Sequence, residues 1–175
     1  GPALQPGTRA YARSWVRDGA MMVAGLLRLG ETQSAREFTD WFAGHIFASG
    51  KVPCCVDARG ADPVVENDSH GQYLYAVAEV WRHTGDAPFL RRHWPRVQAV
   101  LAWMEGLRQS GRSAANRAPA RAHLFGLMPP SISHEGYSDK PAYSYWDDFW
   151  ALRGYKDAVL MAQGMGAAEQ ARQWA

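Results

Sequence analysis

The strongest constraint on this chain is a pattern that occurs three times. A polar motif with an acidic residue, flanked by aromatic side chains, stands at the start of an apolar helical stretch. The three copies are Trp15-Val16-Arg17-Asp18, Glu66-Asn67-Asp68-Ser69-His70-Gly71 and Tyr145-Trp146-Asp147-Asp148. Each opens the first helix of an expected helix pair. If such pairs repeat about an axis, all three motifs lie at the same end and face one shared pocket.

The hydrophobic periodicity predicts six helices in three hairpins and no convincing strand, an all-α fold. The first helix, over 18–29, is apolar nearly all round (Ala20, Met21, Met22, Val23, Ala24, Leu26, Leu27), which predicts burial on every side, and Gly30 ends it. The second, over 31–48, is amphipathic, with Ala35, Phe38, Phe42 and Ile46 on one face. The third runs over 68–83 and the fourth over 87–108. Asp86 is placed to cap the fourth, and Pro95 inside it marks a kink or a late start. A fifth helix spans 145–163, and a sixth begins near Ala167. Between them lie a long loop over 49–66, an Arg-, Ala- and Ser-rich stretch over 109–123 that reads as a mobile excursion, and a Pro- and Gly-marked loop over 124–144. Buried first helices alternate with amphipathic second ones, which implies an inner layer ringed by an outer one. Three hairpins make half of a six-hairpin ring, with apolar flanks left wet at about 25 cal/mol per Å². The chain is therefore expected to be a single partial domain of a longer protein, or to self-associate through those flanks.

Composition narrows the function. Of the 175 residues, 47% are hydrophobic and 21% charged, enough for a packed core. The net charge of +2 is scattered along the chain rather than striped, which argues against a nucleic-acid or membrane-surface partner. Cys54 and Cys55 are neighbours and form no disulfide framework, a weak lean towards a reducing, cytoplasmic compartment. No leader-like segment and no apolar run of about 18 residues is evident, so the chain reads as soluble. Eight Trp, seven Tyr and six Phe make 12% of the chain; part of these rings fill the core, and the others stand beside acids in predicted loops. Rings that stack on sugar faces next to carboxylates are what a carbohydrate pocket needs.

The residues that carry chemistry follow from the motifs. Asp147 and Asp148 sit between Tyr145, Trp146, Phe149 and Trp150. They read either as an N-cap with a first-turn acid or as a general acid and its neighbour, since glycosidic cleavage needs a protonated carboxyl at the leaving oxygen. The helix N-terminus favours ionised Asp147, whereas burial and Asp148 push the other way, and the sequence leaves the outcome open. Trp15, Arg17 and Asp18 read as an Arg–Asp pair at a helix start or as a clamp on sugar hydroxyls. In the second motif capping accounts for Asp68 or Ser69 but not for Glu66, Asn67 and His70 as well. No second cluster stands at ligand spacing, so neither a metal nor a cofactor is expected. The loop after Pro129-Pro130 adds His134 and Glu135, the latter catalytic or hydroxyl-binding unless the segment is a plain loop without a role. A Ser131/Ser133–His134 triad is weak, because no nucleophile-elbow glycines flank either serine.

Trp15-x-Arg17-Asp18 before an apolar helix resembles the motif of the first hairpins of six-hairpin glycosidases, the glucoamylase-like and trehalase-like (α/α)6-barrel hydrolases. Tyr143-Ser144-Tyr145-Trp146-Asp147-Asp148 is similar to the Tyr-x-x-Trp-acid-acid motif that supplies the glucoamylase general acid, with Asp-Asp here in place of Glu-Glu. The resemblance implies an inverting glycoside hydrolase. Asp147 would be the general acid, Arg17 and Asp18 would hold the sugar, and Asp68 would open the second inner helix. The remaining residues expected to border the substrate are Trp15, Glu66, His70, His134, Tyr145 and Trp146, with Asp148 and Glu135 as further acids. The family's catalytic base lies on a late hairpin, so the isolated chain is expected to be inactive. The alternatives are a glycoside phosphorylase and a non-catalytic carbohydrate-binding or regulatory domain.

Overall fold

The computed structural model describes residues 1–7, 12–133 and 140–175. Helices make up 63% of the chain and strands 5%, so the fold is all-α as expected. The elements are β1 (Ser14–Trp15), α1 (Val16–Arg28), α2 (Thr32–Ala43), β2 (Cys55–Asp57), β3 (Gly60–Ala61), α3 (Asp68–Thr84), α4 (Ala87–Gly111), α5 (Ala114–Arg117), a 3-10 turn (Pro119–Leu124), α6 (Tyr145–Gly164) and α7 (Ala168–Trp174).

Their boundaries follow local chemistry. Gly30 takes the left-handed conformation (φ 85°) just beyond α1, and Gly85 does the same (φ 62°) at the end of α3, its N–H returning to Trp81 O at 2.8 Å. Asp86 caps α4 by accepting from Phe89 N at 2.9 Å. That helix then runs through Pro95 from Ala87, so the proline does not delay its start. Ser144 caps α6 through Trp146 N at 3.2 Å. Asp147 and Asp148 are thereby released from the capping role that was one reading of them.

Three helices lie side by side, α1 against α3 and α3 against α6, while α2, α4 and α7 pack behind their partners. The inner three run parallel. Arg17 meets Asp68 near the start of α1 and α3, and Arg28 meets Glu79 near their ends. Trp146 meets Asp68 at the start of α6, and Arg82 pairs with Asp157 further along. The helices α2 and α4 are bound by Arg36–Asp86 at 2.6 Å and Arg92–Asp40 at 2.9 Å, and Trp94 of α4 packs on Trp174 of α7. The core between the layers is built from Val23, Leu27, Phe38, Phe42, Leu74, Val77, Phe89, Leu101, Met104 and Met161. No helix among the described residues is long and apolar enough to cross a membrane.

Several expectations are corrected. Three short antiparallel strands exist in the order β1-β2-β3, with Trp15 opposite Cys55 and Val56 opposite Ala61. Strands of two or three residues are too short to show an alternating pattern, and the loop over 49–66 hides two of them. The stretch over 109–123 is helical in large part: α4 reaches Gly111, and Asn116 Nδ2 donates to Gly111 O at 3.0 Å. The helix α2 stops at Ala43, short of 48. The helix α1 is not buried all round, since Met21 is 47% exposed and Gly25 is exposed one turn on. On the far side of the trio, α6 leaves Tyr145, Phe149 and Leu152 exposed.

The closest packing lies between α3 and α6. A Cβ on Gly71 would stand 2.0 Å from Trp150 O, and one on Gly154 would stand 3.0 Å from Gly71 Cα. Only hydrogen at both positions lets the two backbones meet. Gly71→Ala is therefore expected to destabilise the fold by about 1–3 kcal/mol through overpacking. Gly25→Ala, on the open flank of α1 with no neighbour within 4 Å, is expected to stabilise by about 0.5–1 kcal/mol through helix propensity. Equilibrium urea unfolding measures both.

Candidate functional site

The start of α3 is buried through and through: Glu66, Asn67, Asp68, Ser69 and His70 are all shielded from solvent. Such a run of polar side chains in a core is costly unless each finds partners. Asp68 finds several on one oxygen. Its Oδ2 accepts from Gln72 Nε2 at 2.6 Å and from Trp146 Nε1 at 2.8 Å, with Arg17 Nη1 at 3.6 Å. Neither Asp68 nor Ser69 caps the helix, because no side chain makes a cap bond there. Arg17 Nη1 also stands 3.5 Å from Glu66 Oε2, and its guanidinium lies 5.4 Å over the Trp15 ring. The first motif thus meets the second through Arg17, and the second meets the third through Trp146.

Asp147 is the other buried acid. Its Oδ2 accepts from Ser131 Oγ at 2.6 Å, and Ser131 Oγ lies 2.7 Å from Ser133 Oγ. Asn67 N donates to Ser133 Oγ at 2.8 Å. Each hydroxyl has a single proton, so the direction of the chain is set. Asn67 N–H donates to Ser133, Ser133 to Ser131, and Ser131 to Asp147. The loop that carries the serines is pinned by Ile132 N to Val65 O at 3.0 Å and by Asn67 Nδ2 to Pro129 O at 2.8 Å. Asp148 is turned to the same loop, where its Oδ1 accepts from Met128 N at 2.9 Å.

Buried oxygens without partners mark where a ligand would be welcome. Among the described residues, Asp68 Oδ1, Asp147 Oδ1, Asp148 Oδ2, Ser69 Oγ and Gln72 Oε1 have none, and neither does Trp15 Nε1. His70 Nδ1 stands 3.1 Å from Asn67 O, a carbonyl that only accepts, so Nδ1 carries the proton and buried Nε2 is a free acceptor. The His70 ring stacks over Trp103 at 6.5 Å.

These surroundings separate the acids. Burial pushes Glu66 up to about 8, with the charge of Asp68 adding to it and Arg17 opposing. Burial raises Asp147 to about 6, against the pull of the Ser131 and Ser133 hydroxyls. Burial also raises Asp148 and lowers His70 to about 4. A carboxyl near 6 holds its proton part of the time at neutral pH, as a general acid must.

Asp18 stands half-buried in the first turn of α1, and no hydrogen bond or ion pair among the described residues joins it to this group. Tyr145 is turned outward against Phe149, and only Trp146 of that pair enters the cluster. His134 and Glu135 lie outside the described residues. Ser131, Ser133, Gln72 and the Met128 amide belong to the site in roles that sequence reading had not assigned them. The local sequence around Ser131 and Ser133 suggests nucleophiles, whereas in the fold their hydroxyls orient a carboxylate. A cavity of about 1060 Å³ opens elsewhere, between α4, α6 and α7, bordered by Leu101, Glu105, Tyr155 and Trp174 and by none of the motif residues. No protein-family model matches the chain, and no curated protein does.

Two measurements check the electrostatics. Ser131→Ala removes a hydrogen bond to the ionised carboxylate, so Asp147 is expected to titrate above about 6 by carboxyl carbon-13 NMR. Glu66 has a folded value near 8 against an ordinary 4.5, so it favours the folded state fully below the lower value and ceases to as pH rises through the upper one. Glu66→Gln is expected to flatten the fall in Tm across that window in a pH series of thermal melts.

Proposed function

We propose that this chain is part of an inverting glycoside hydrolase, the first half of an (α/α)6 toroid, with Asp147 as general acid. The observation that carries the reading is the convergence of the three motifs. Arg17, Glu66, Asp68, Trp146 and Asp147 come from three parallel inner helices and the loop before α3 and gather at one end of them. Gathered carboxylates, a guanidinium fork and indole faces fit polyhydroxylated, uncharged substrates better than they fit anionic or apolar ones.

The chemistry divides among the residues as follows. Ser131 occupies Asp147 Oδ2, so the transferable proton belongs on Oδ1, which is buried and has no partner among the described residues. From there it passes to the leaving oxygen as the glycosidic bond breaks. Arg17 and Asp68 hold sugar hydroxyls, with Trp15 and Trp146 as stacking faces. Asp148 holds the Met128 amide and acts as a positioning residue rather than a second acid. The water-activating base belongs to a later hairpin, on the far side of the sugar. The exposed apolar flanks of α1 and α6 are where further inner helices would join.

Asp147→Asn, in the longest form of the protein that contains this chain, is expected to cut hydrolysis of a responsive glycan by about 10²–10⁴-fold while sugar binding persists. Asp68→Asn is expected to abolish sugar contacts in saturation-transfer NMR with a panel of neutral oligosaccharides. Unchanged turnover in the first variant would remove Asp147 as the acid. Binding without cleavage in the unaltered protein would leave a carbohydrate-binding domain, and cleavage that requires phosphate would make it a phosphorylase.

A further inference from the structure

We propose that Cys54, Cys55 and Asp62 form a zinc site beneath the strand that carries Trp15. Successive side chains of a regular strand point to opposite faces. Here a bend at Cys54, just before β2, turns both sulfurs to one side, 3.4 Å apart. Both are free thiols and both are buried. The Asp62 carboxylate joins them, and one ligand atom from each of the three lies within 4.8 Å of the others. A tetrahedral zinc ion has Zn–S bonds of about 2.3 Å and Zn–O bonds of about 2.0–2.2 Å, so its ligands stand roughly 3.5–3.8 Å apart. The sulfurs, 3.4 Å apart, need to part by a few tenths of an ångström, and the carboxylate, within 4.8 Å, needs to close by no more than about an ångström.

The donor set selects the ion. Two soft sulfurs with one carboxylate oxygen suit a borderline d10 cation and disfavour magnesium and calcium, which take oxygen ligands alone. Three protein ligands leave the fourth position for water.

In the structure a guanidinium occupies the place of that positive charge. Arg13 Nη1 lies 3.1 Å from Asp62 Oδ2 and 3.7 Å from Cys55 Sγ. Arg13 is partly exposed and has a second acceptor in Asp57 Oδ2, 3.3 Å from its Nε, so it has somewhere to go when a metal takes Asp62. Asp62 is itself partly exposed and gives the route in, while the sulfurs stay covered. Lys51 is tied to Pro63 O rather than to Asp62, whose Oδ1 accepts from Val64 N at 3.1 Å while Oδ2 is the oxygen Arg13 would release.

The ion would lock a specific part of the fold. Cys55 pairs with Trp15 across the sheet, Cys54 O accepts from Val16 N at 2.9 Å, and Cys55 O accepts from Asp62 N at 3.0 Å. Zinc at this point would clamp the three short strands and fix the entry into α1. The proposal rests on this geometry and is independent of the sugar reading.

Cobalt(II) added to the metal-free protein, reduced with a phosphine that does not bind metals, tests it. The expected result is a thiolate-to-cobalt charge-transfer band that saturates at one ion per chain, is bleached by zinc, and is accompanied by a rise in Tm with zinc. Cys54→Ser and Cys55→Ser should each weaken or lose the band, and Asp62→Asn should weaken binding at least about tenfold. Arg13→Gln keeps all three ligands and should bind zinc more tightly, since it removes the competing cation. The absence of the band in the unaltered protein, its persistence at full strength in Cys55→Ser, or zinc affinity that does not rise in Arg13→Gln would each overturn the proposal.

Discussion

The contact on which the rest of this structure depends is the near touch of two backbones, α3 at Gly71 and α6 at Gly154. Without side chains there the helices approach far enough for Trp146 Nε1 to reach Asp68 and for the Ser131 loop to bridge Asn67 and Asp147. The opposite end of the same helices is held by charge. Arg82 pairs with Glu79 and Asp157, Arg153 pairs with Asp157, and Arg28 reaches Glu79. Glu79 and Asp157 are buried, so each is costly alone and tolerable only inside this network. Close packing at the first turn of α3 draws the acids together, and the ion pairs at the far end lie too distant to neutralise them.

Those acids are kept apart by their partners. Asp68 has two N–H donors on one oxygen and Arg17 beside it. Asp147 has the Ser131 hydroxyl, oriented by the relay from Asn67 through Ser133, and burial dominates its titration. Among the described residues Glu66 has only the Arg17 guanidinium, at 3.5 Å, and burial dominates there more strongly. Desolvation rather than charge repulsion is the leading cause at Glu66 and Asp147 alike, so opening the site to water would lower both values.

Much of the helical plan was legible along the chain. Asp86, Gly30 and Gly85 punctuate helices by local backbone and side-chain chemistry, and Leu90, Val97, Leu101 and Met104 recur at helical spacing. The polar run at 66–70 stood out because caps alone did not account for it, and the acid pair at 147–148 because it lies between four aromatic rings. The strands β1 to β3 did not stand out, since residues so few leave no periodic trace. The orienting serines were equally hidden. Ser131 lies 16 residues from Asp147, and Ser133 lies 66 from Asn67, and nothing in either local sequence encodes those pairings.

The sequence by itself determined the class of fold and the order and approximate span of six helices, because helix propensity, capping and amphipathic spacing act over three or four residues. Tertiary structure alone decided that Asp147 meets Ser131 while Asp148 turns to the Met128 amide, and that Arg17 joins Glu66 and Asp68 while no bond ties neighbouring Asp18 to them. It also decided that one flank of α1 stays wet. These outcomes depend on burial and on contacts between distant segments, and burial is a property of the packed molecule that no local stretch of chain carries.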